Sequence, residues 1–318
     1  MTNQSSEFKS TPAHLDEHTH LQPAVQAWKI FLNDQGRSPY TIKAFIADLN
    51  LLDGFLAPDK TLGEITLKDL ENFLYWLEND RGVPCSPKSL SRRITSVKSF
   101  FRWLQRGAVL MVDPAEKLPQ ITVSSPLPVV LTHPELKTAL RTAENMRFGD
   151  QPDARPYVLL KLLLETGIKK GECHDINLNH LEIDNPEDAY TFIRYTNPRY
   201  RYKERKLPLS PELVKALDEY FDQYQPQEQL FPWTTRLLEY VLEDISKAAG
   251  FDKRISFDMC RWTSALSDLI DGVPSEKIRQ KLGVSKVQFR EVRLKLRRIA
   301  LQQGYELGED VEDTSLEN

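Results

Sequence analysis

The sequence predicts a mainly α protein of two domains: a compact four-helix N-terminal domain, then an α+β domain with a small antiparallel sheet. Four helical periodicities crowd between Val25 and Gly107, and a proline-rich stretch follows them. A single pair of β-like segments, around Tyr190 and Lys206, interrupts an otherwise helical second half. A chain of 318 residues also exceeds what one hydrophobic core usually organises.

Residues 1–22 are polar and lack the apolar run of a secretory signal, so they read as a disordered leader, and the expected location is the cytoplasm. His14, His18 and His20 fall in this leader with no cysteine or further histidine nearby, and no metal is expected. The first domain covers 23–112. Val25, Trp28, Phe31 and Leu32 recur at helical spacing up to Gly36. Ser38-Pro39 offers an N-cap with proline in the first turn, and Tyr40, Ile42, Phe45, Leu49 and Leu52 continue a face to Phe55. Thr66 and Asp69 cap a third helix with Leu70, Phe73, Leu74 and Leu77 inward. A fourth runs from Ser86-Pro87 to Gly107.

Residues 113–131, punctuated by Pro114, Pro119, Pro126 and Pro128, read as an extended linker. The second domain, 132–304, opens with Thr132 and Glu135 in capping-box spacing, and a further helix covers Pro156 to Thr166. Tyr190, Phe192, Ile193 and Tyr195 alternate as a strand. A turn at Asn197-Pro198 leads to a return over Lys206 to Leu209, and helices resume from Pro211 to Gln303. The tail, 305–318, carries Glu306, Glu309, Asp310, Glu312, Asp313 and Glu317 with no base and reads as disordered.

The net charge of −4 argues by itself against a nucleic-acid partner, and its distribution reverses that impression. From Ser86 to Arg106 there are Lys88, Arg92, Arg93, Lys98, Arg102 and Arg106 and no acid. From Glu276 to Arg298 there are Lys277, Arg279, Lys281, Lys286, Arg290, Arg293, Lys295, Arg297 and Arg298 against only Glu276 and Glu291. The acidic tail masks both regions in the total. A charged helix face is equally an ordinary solvated surface. In the first stretch, however, Ile94, Val97, Phe101 and Leu104 account for the core face and leave Lys88 and Arg92 on faces able to meet phosphates. The hairpin run Arg199, Arg201, Lys203, Arg205 and Lys206, interleaved with Tyr200 and Tyr202, suits entry into a groove, or is a solvated hairpin. Cys85, Cys173 and Cys260 are widely separated and read as reduced. No apolar run approaches the ~20 residues of a membrane span. No cofactor is implied.

The order of these elements resembles the Xer-like branch of the tyrosine recombinases, the phage integrase family. Ser38-Pro39-Tyr40-Thr41-Ile42-Lys43 through Asp48-Leu49 is similar to the family's first core-binding motif, and Ser86 through Leu104 to its second. Asp113-Pro114-Ala115, Leu163 to Ile168, Lys203 to Leu209 and Leu230-Phe231-Pro232 follow in the family's order, so the resemblance covers roughly Val25 to Gln303. It implies a SAM-like core-binding domain and a tyrosine-recombinase catalytic-type domain that together clamp duplex DNA.

The resemblance also implies a tyrosine that attacks a DNA phosphate, two arginines on the transition state, a lysine serving the leaving oxygen, and histidines. This sequence departs from that set. The first arginine falls on Lys169, which keeps the charge and loses the planar fork. The lysine falls on Tyr200, and a one-residue slip in that turn restores a base. The second box reads Asp258-Met259-Cys260-Arg261, an acid for the histidine with the arginine kept. The third reads Leu282-Gly283-Val284, and the tyrosine position falls on Arg293. Tyr305 is the other candidate nucleophile. Arg261 reads either as a phosphate contact or as a buried structural arginine paired with Asp258 or Glu172.

The expectation is therefore a catalytically inactive homologue that clamps double-stranded DNA as a transcriptional regulator or a nucleoid-associated, architectural factor. Its expected contacts are Lys43, Lys88, Arg92, Arg93, Lys98, Lys169, Arg199, Arg201, Lys203, Arg205, Arg261, Lys286, Arg290 and Arg293. The alternatives are an active site-specific recombinase with a displaced nucleophile, and a protein-interaction module that has abandoned DNA. A homo-oligomer or an active recombinase is the further partner implied, and the acidic tail is a candidate autoinhibitor of the basic surfaces.

Overall fold

The computed structural model describes residues 15–120, 126–148 and 150–306. The leader up to and including His14, the middle of the expected linker at 121–125, and the acidic tail from residue 307 lie outside the described residues. Two units, Met1–Ser125 and Pro126–Asn318, divide the chain.

In the first unit the four expected helices are α1 (Leu21–Asp34), α2 (Pro39–Phe55), α3 (Leu67–Asn79) and α4 (Pro87–Arg106). Their starts follow local chemistry. Ser38 Oγ accepts the Thr41 N–H at 3.1 Å and Ser86 Oγ accepts the Ser89 N–H at 3.2 Å, each with proline in the first turn, where its missing N–H costs nothing. Thr66 and Asp69 form the reciprocal cap of α3, with the Thr66 N–H on Asp69 Oδ2 at 2.8 Å. The core is aromatic: Trp28 stacks on Phe45 at 5.7 Å and meets Phe100 edge-on at 5.4 Å.

One carboxylate lies inside this unit. Asp48 of α2 is 1 % exposed and accepts hydrogen bonds from Arg92 Nη1 at 2.7 Å and Ser96 Oγ at 2.8 Å, with Arg93 Nε at 3.6 Å. Burial holds its carboxyl above the usual carboxylate range, outweighing Ser96 and the two arginines. The cluster ties α2 to α4.

The second unit contains α5 (His133–Asn145), α6 (Arg155–Thr166), α7 (Lys170–His174), β1 (Leu181–Glu182), β2 (Tyr190–Ile193), β3 (Arg205–Pro208), α8 (Pro211–Tyr224), α9 (Thr235–Ala248), α10 (Phe257–Ile270), α11 (Ser275–Leu282) and α12 (Lys286–Gln302). The antiparallel sheet has the order β1-β2-β3, with Thr191 opposite Leu207 and Ile193 opposite Arg205. Helix α6 buries residues on all sides, among them Tyr157, Leu159, Leu160, Leu162 and Leu163, and forms the centre of the main core with α8 and α9. A smaller apolar cluster, Ala265, Leu266, Ile278, Leu282, Phe289, Leu296, Ile299 and Ala300, holds α10 to α12 together. Among the described residues no helix is long and apolar enough to cross a membrane.

Three expected boundaries move. Of the leader, residues 15–22 are ordered: Leu15 packs against the core, His20 bridges to Thr61, and α1 begins at Leu21 because Leu21 is already buried. Of the linker, residues 113–118 complete the first unit. Ala115 and Leu118 are buried there, and Lys98 Nζ donates to the carbonyls of Glu116 at 2.9 Å and Leu118 at 2.7 Å. The prolines block regular structure without blocking burial. At the other end Val130 and Leu131 are buried in the second unit, where the Leu131 N–H meets Thr263 Oγ1 at 2.9 Å. Tyr305, placed in the tail, packs against the α10–α12 cluster.

Replacing Asp48 with alanine leaves Arg92 and the largely buried Arg93 without their shared counter-charge. The expected loss of stability is about 3 kcal/mol, read by urea unfolding. A cost near zero would show that the cluster merely offsets its own desolvation.

Candidate nucleic-acid interface

Helix α6 stops at Gly167, whose φ of +59° is left-handed, and the chain turns through buried Ile168 to Lys169, the N-cap of α7. That turn sends Glu172 inward. Glu172 Oε2 accepts the Lys169 N–H at 2.8 Å and Arg205 Nη2 at 2.9 Å. Its Oε1 accepts Arg205 Nη1 at 3.1 Å and the Tyr195 hydroxyl. The Arg205 and Glu172 side chains are 8 % and 3 % exposed. Burial alone would raise the Glu172 carboxyl. The hydrogen bonds and charge of Arg205, with Tyr195 and the Lys169 amide, overcome this and bring it down to about 2. Burial, then the adjoining carboxylate, pushes the Tyr195 phenol well up, so it stays protonated.

Arg205 is held from its other side as well, donating from Nε to the Lys281 carbonyl at 2.7 Å and from Nη1 to that of Lys203 at 3.1 Å. The α11–α12 turn lies directly against it. A Cβ on Gly283, at φ +58°, would sit 2.7 Å from Arg205 Nη1, so this position demands glycine for space as well as for conformation.

Arg261, on α10, donates from Nη1 to the Gly167 carbonyl and from Nη2 to that of Leu282 at 2.6 Å. Burial pushes it down to about 10; Arg205 adds to this, and Glu172 and Asp258 oppose it. Lys169 is exposed as a whole residue, yet burial around its ammonium lowers it. Arg261, Lys203 and Arg205 add to that effect, and Glu172 opposes it. Lys169 thus feels the charges of Glu172, Arg261, Lys203 and Arg205 together, and Asp258 is exposed at the first turn of α10. Lys203 Nζ lies 4.8 Å from the Tyr200 ring centre and 5.3 Å from that of Tyr202.

The structure sorts the remaining expected contacts. Lys43, Lys88, Arg199, Arg201, Lys286 and Arg290 are exposed, and Arg293 is half-buried on α12. Arg92 keeps 40 % exposure while bonded to Asp48 and to the Ala44 carbonyl at 3.2 Å. Arg93 is largely buried, with Nη1 2.7 Å from Cys85 Sγ, and Lys98 is spent on backbone carbonyls. Arg205 is a buried pair member and not a groove-facing cation. Arg261 pairs with neither Asp258 nor Glu172: its guanidinium donates to the Gly167 and Leu282 carbonyls, and Arg205 already fills Glu172. Val284 is half-buried against the α10–α12 cluster. The Glu172–Arg205–Tyr195 constellation was not anticipated. Its signals were an acid three residues past the α7 cap and an arginine opening the return strand.

Residues 129–289 match the model of the phage integrase family, and residues 25–107 match that of the phage integrase N-terminal SAM-like domain. The chain belongs to the phage integrase family of tyrosine recombinases. It is 30% identical over 184 residues to the tyrosine recombinase XerC of Mycobacterium bovis (strain BCG / Pasteur 1173P2) and to that of Mycobacterium tuberculosis (strain ATCC 25177 / H37Ra). The match covers 57% of this chain and 58% of each relative, so it spans little more than half the length of these curated proteins. Among solved structures, the fold is similar to a XerH site-specific recombinase bound to a palindromic difH substrate in a post-cleavage complex. There the TM-score is 0.68 at 16% identity, covering 88% of this chain and 83% of that one. It is similar also to a lambda integrase tetramer bound to a Holliday junction, with TM-score 0.68 at 14% identity, covering 93% and 81%.

The depressed Glu172 carboxyl carries a pH dependence. Its folded value of about 2 lies below the ordinary 4.5, so its contribution is complete above that ordinary value and is lost as pH falls through the folded value. Glu172→Gln is expected to lower stability at neutral pH by on the order of 3 kcal/mol and to flatten the acid limb between these two values. Urea unfolding of both proteins across that range checks it; parallel curves would refute it.

Proposed function

We propose that this family member binds duplex DNA with cationic surfaces of both units and does not cut it, serving as a transcriptional regulator or an architectural factor of the nucleoid. The observation that carries this reading is the group of bases Lys169, Lys203 and Arg261 beside the buried Glu172–Arg205 pair, with an arginine, Arg293, where the family resemblance places the nucleophile. Fixed positive charge suffices to bind a phosphate, whereas transfer requires a hydroxyl that can become an oxyanion. Of the tyrosines near the cluster, Tyr195 is committed to Glu172 and held protonated, the opposite of activation. Tyr305 packs among apolar side chains.

The exposed Lys88 of α4 and Arg201 of the hairpin turn are the expected phosphate contacts outside the cluster. Binding to duplex DNA in a gel shift should weaken on the order of a hundredfold or more between 50 and 200 mM salt, roughly what several phosphate contacts produce. Lys88→Glu and Arg201→Glu should each weaken it further at fixed salt. An absence of binding at low ionic strength would sink the proposal.

Its second half is read with a suicide duplex that traps covalent protein–DNA adducts. No adduct is expected. A trapped adduct mapping to Tyr200 or Tyr202, or one abolished by Tyr305→Phe, would instead establish an active recombinase with a displaced nucleophile.

A further inference from the structure

We propose that the first unit carries a nucleotide site, a pocket formed by α1, α2 and α4 in which an aromatic base meets phenyl rings and its phosphate meets arginines. The pocket encloses about 320 Å³. That is the lower end of the range for small-molecule sites, so it suits one nucleotide and not a longer ligand.

Charge of one sign surrounds it. Arg37, Arg102 and Arg106 line the pocket, all three are exposed, and no carboxylate lines it with them. This sets them apart from other bases of α4. Arg92 and Arg93 are drawn to Asp48 and Lys98 to two carbonyls, whereas Arg37 and Arg102 have no carboxylate at ion-pair distance among the described residues. Asp113 feels the charge of Arg102, yet it is itself buried with Oδ1 on the Ala115 N–H at 2.8 Å, and it lies outside the pocket lining. A helix C-terminus also attracts arginine through the negative end of its dipole, and Arg106 stands in the last turn of α4. That effect fades within one turn. It accounts for neither Arg102, a turn earlier, nor Arg37, which lies between α1 and α2.

The apolar side of the pocket is held rigid. Phe31 and Phe45 are half-buried, Phe31 with its ring centre 5.6 Å from that of Trp103 and Phe45 stacked on Trp28 at 5.7 Å. A bare anion would use the arginines and leave the rings wet; an apolar molecule would do the reverse. A planar base joined to a phosphate uses both, because a guanidinium meets phosphate in a fork and aromatic side chains stack on bases of any kind. Such a unit comes from a free mononucleotide or from a single strand, whereas the base faces of a duplex are already stacked on one another. The site lies in the first unit alone and is independent of the duplex reading.

Isothermal titration calorimetry of the full chain with AMP at low salt is the test. One AMP per chain is expected, bound about tenfold or more tighter than inorganic phosphate or adenosine. Arg37→Ala and Arg102→Ala, at exposed positions, should each weaken AMP about tenfold and leave the circular dichroism unchanged. A single-stranded dinucleotide that displaces AMP assigns the ligand to single strands if it binds more tightly, and to free nucleotides if it does not. No binding of AMP in the millimolar range, AMP no tighter than phosphate, or binding indifferent to both substitutions would overturn the proposal. So would a duplex that displaces AMP and is itself weakened by Arg37→Ala and Arg102→Ala, since the pocket would then be part of the duplex grip.

Discussion

In the second unit, the burial of Glu172 against Arg205 constrains everything around it. Taking both charges out of water costs several kcal/mol each, and such a pair persists only when its remaining lone pairs and protons are also satisfied. Here Glu172 accepts from a backbone amide, a phenol and two guanidinium nitrogens, and Arg205 also donates to the carbonyls of Lys281 and Lys203. Each partner belongs to a different segment: the α7 cap, the end of β2, the hairpin turn and α11. The pair therefore sets where those segments meet. It also explains Gly283, since any larger residue would drive the α11–α12 turn off the guanidinium.

The first unit uses the same device on a smaller scale. Asp48 accepts Arg92 and Ser96 across the α2–α4 contact, with Arg93 close behind. In both units, bases counted by sequence as a surface field are partly consumed inside: Arg93 and Lys98 in one, Arg205 and Arg261 in the other. Electrostatic footprints read from local charge overstate the number of cations that reach solvent. Of the expected contacts, Lys43 and Lys88 in one unit and Lys169, Arg199, Arg201, Lys286 and Arg290 in the other are exposed, a smaller set.

What was legible in the sequence follows from the range of the forces involved. Helix starts are local: a serine or threonine oxygen reaches an amide three residues away, so α2, α3, α4 and α5 begin where Ser38, Thr66, Ser86 and Thr132 placed them. Strand β2 and its return were visible as alternation, whereas β1, two residues long, is too short to show a period. The packing of the linker's ends was not legible, because proline punctuation reports the absence of regular structure, not the absence of packing, and Ala115 and Leu118 are buried all the same. Partner choice was the least legible. Glu172 finds Arg205 at a separation of 33 residues and Asp48 finds Arg92 at 44, and no local pattern distinguishes those arginines from their exposed neighbours.

Gripping a phosphate and transferring it are separable chemical demands. A grip needs only charge and geometry that do not change. Arg261 is pinned by two backbone carbonyls and Arg205 by a carboxylate and two more, so the positive field is built into the fold at the level of helix ends and turns. Transfer needs groups that gain and lose protons in step with the reaction. On the proposed reading, the residues that the family resemblance places at the reacting positions, Lys169, Asp258, Val284 and Arg293, differ from the family's while the backbone acceptors of Arg261 are unaffected by those differences. Removing Glu172 or Arg205, by contrast, strips the partner of a buried charge and loosens four segments at once.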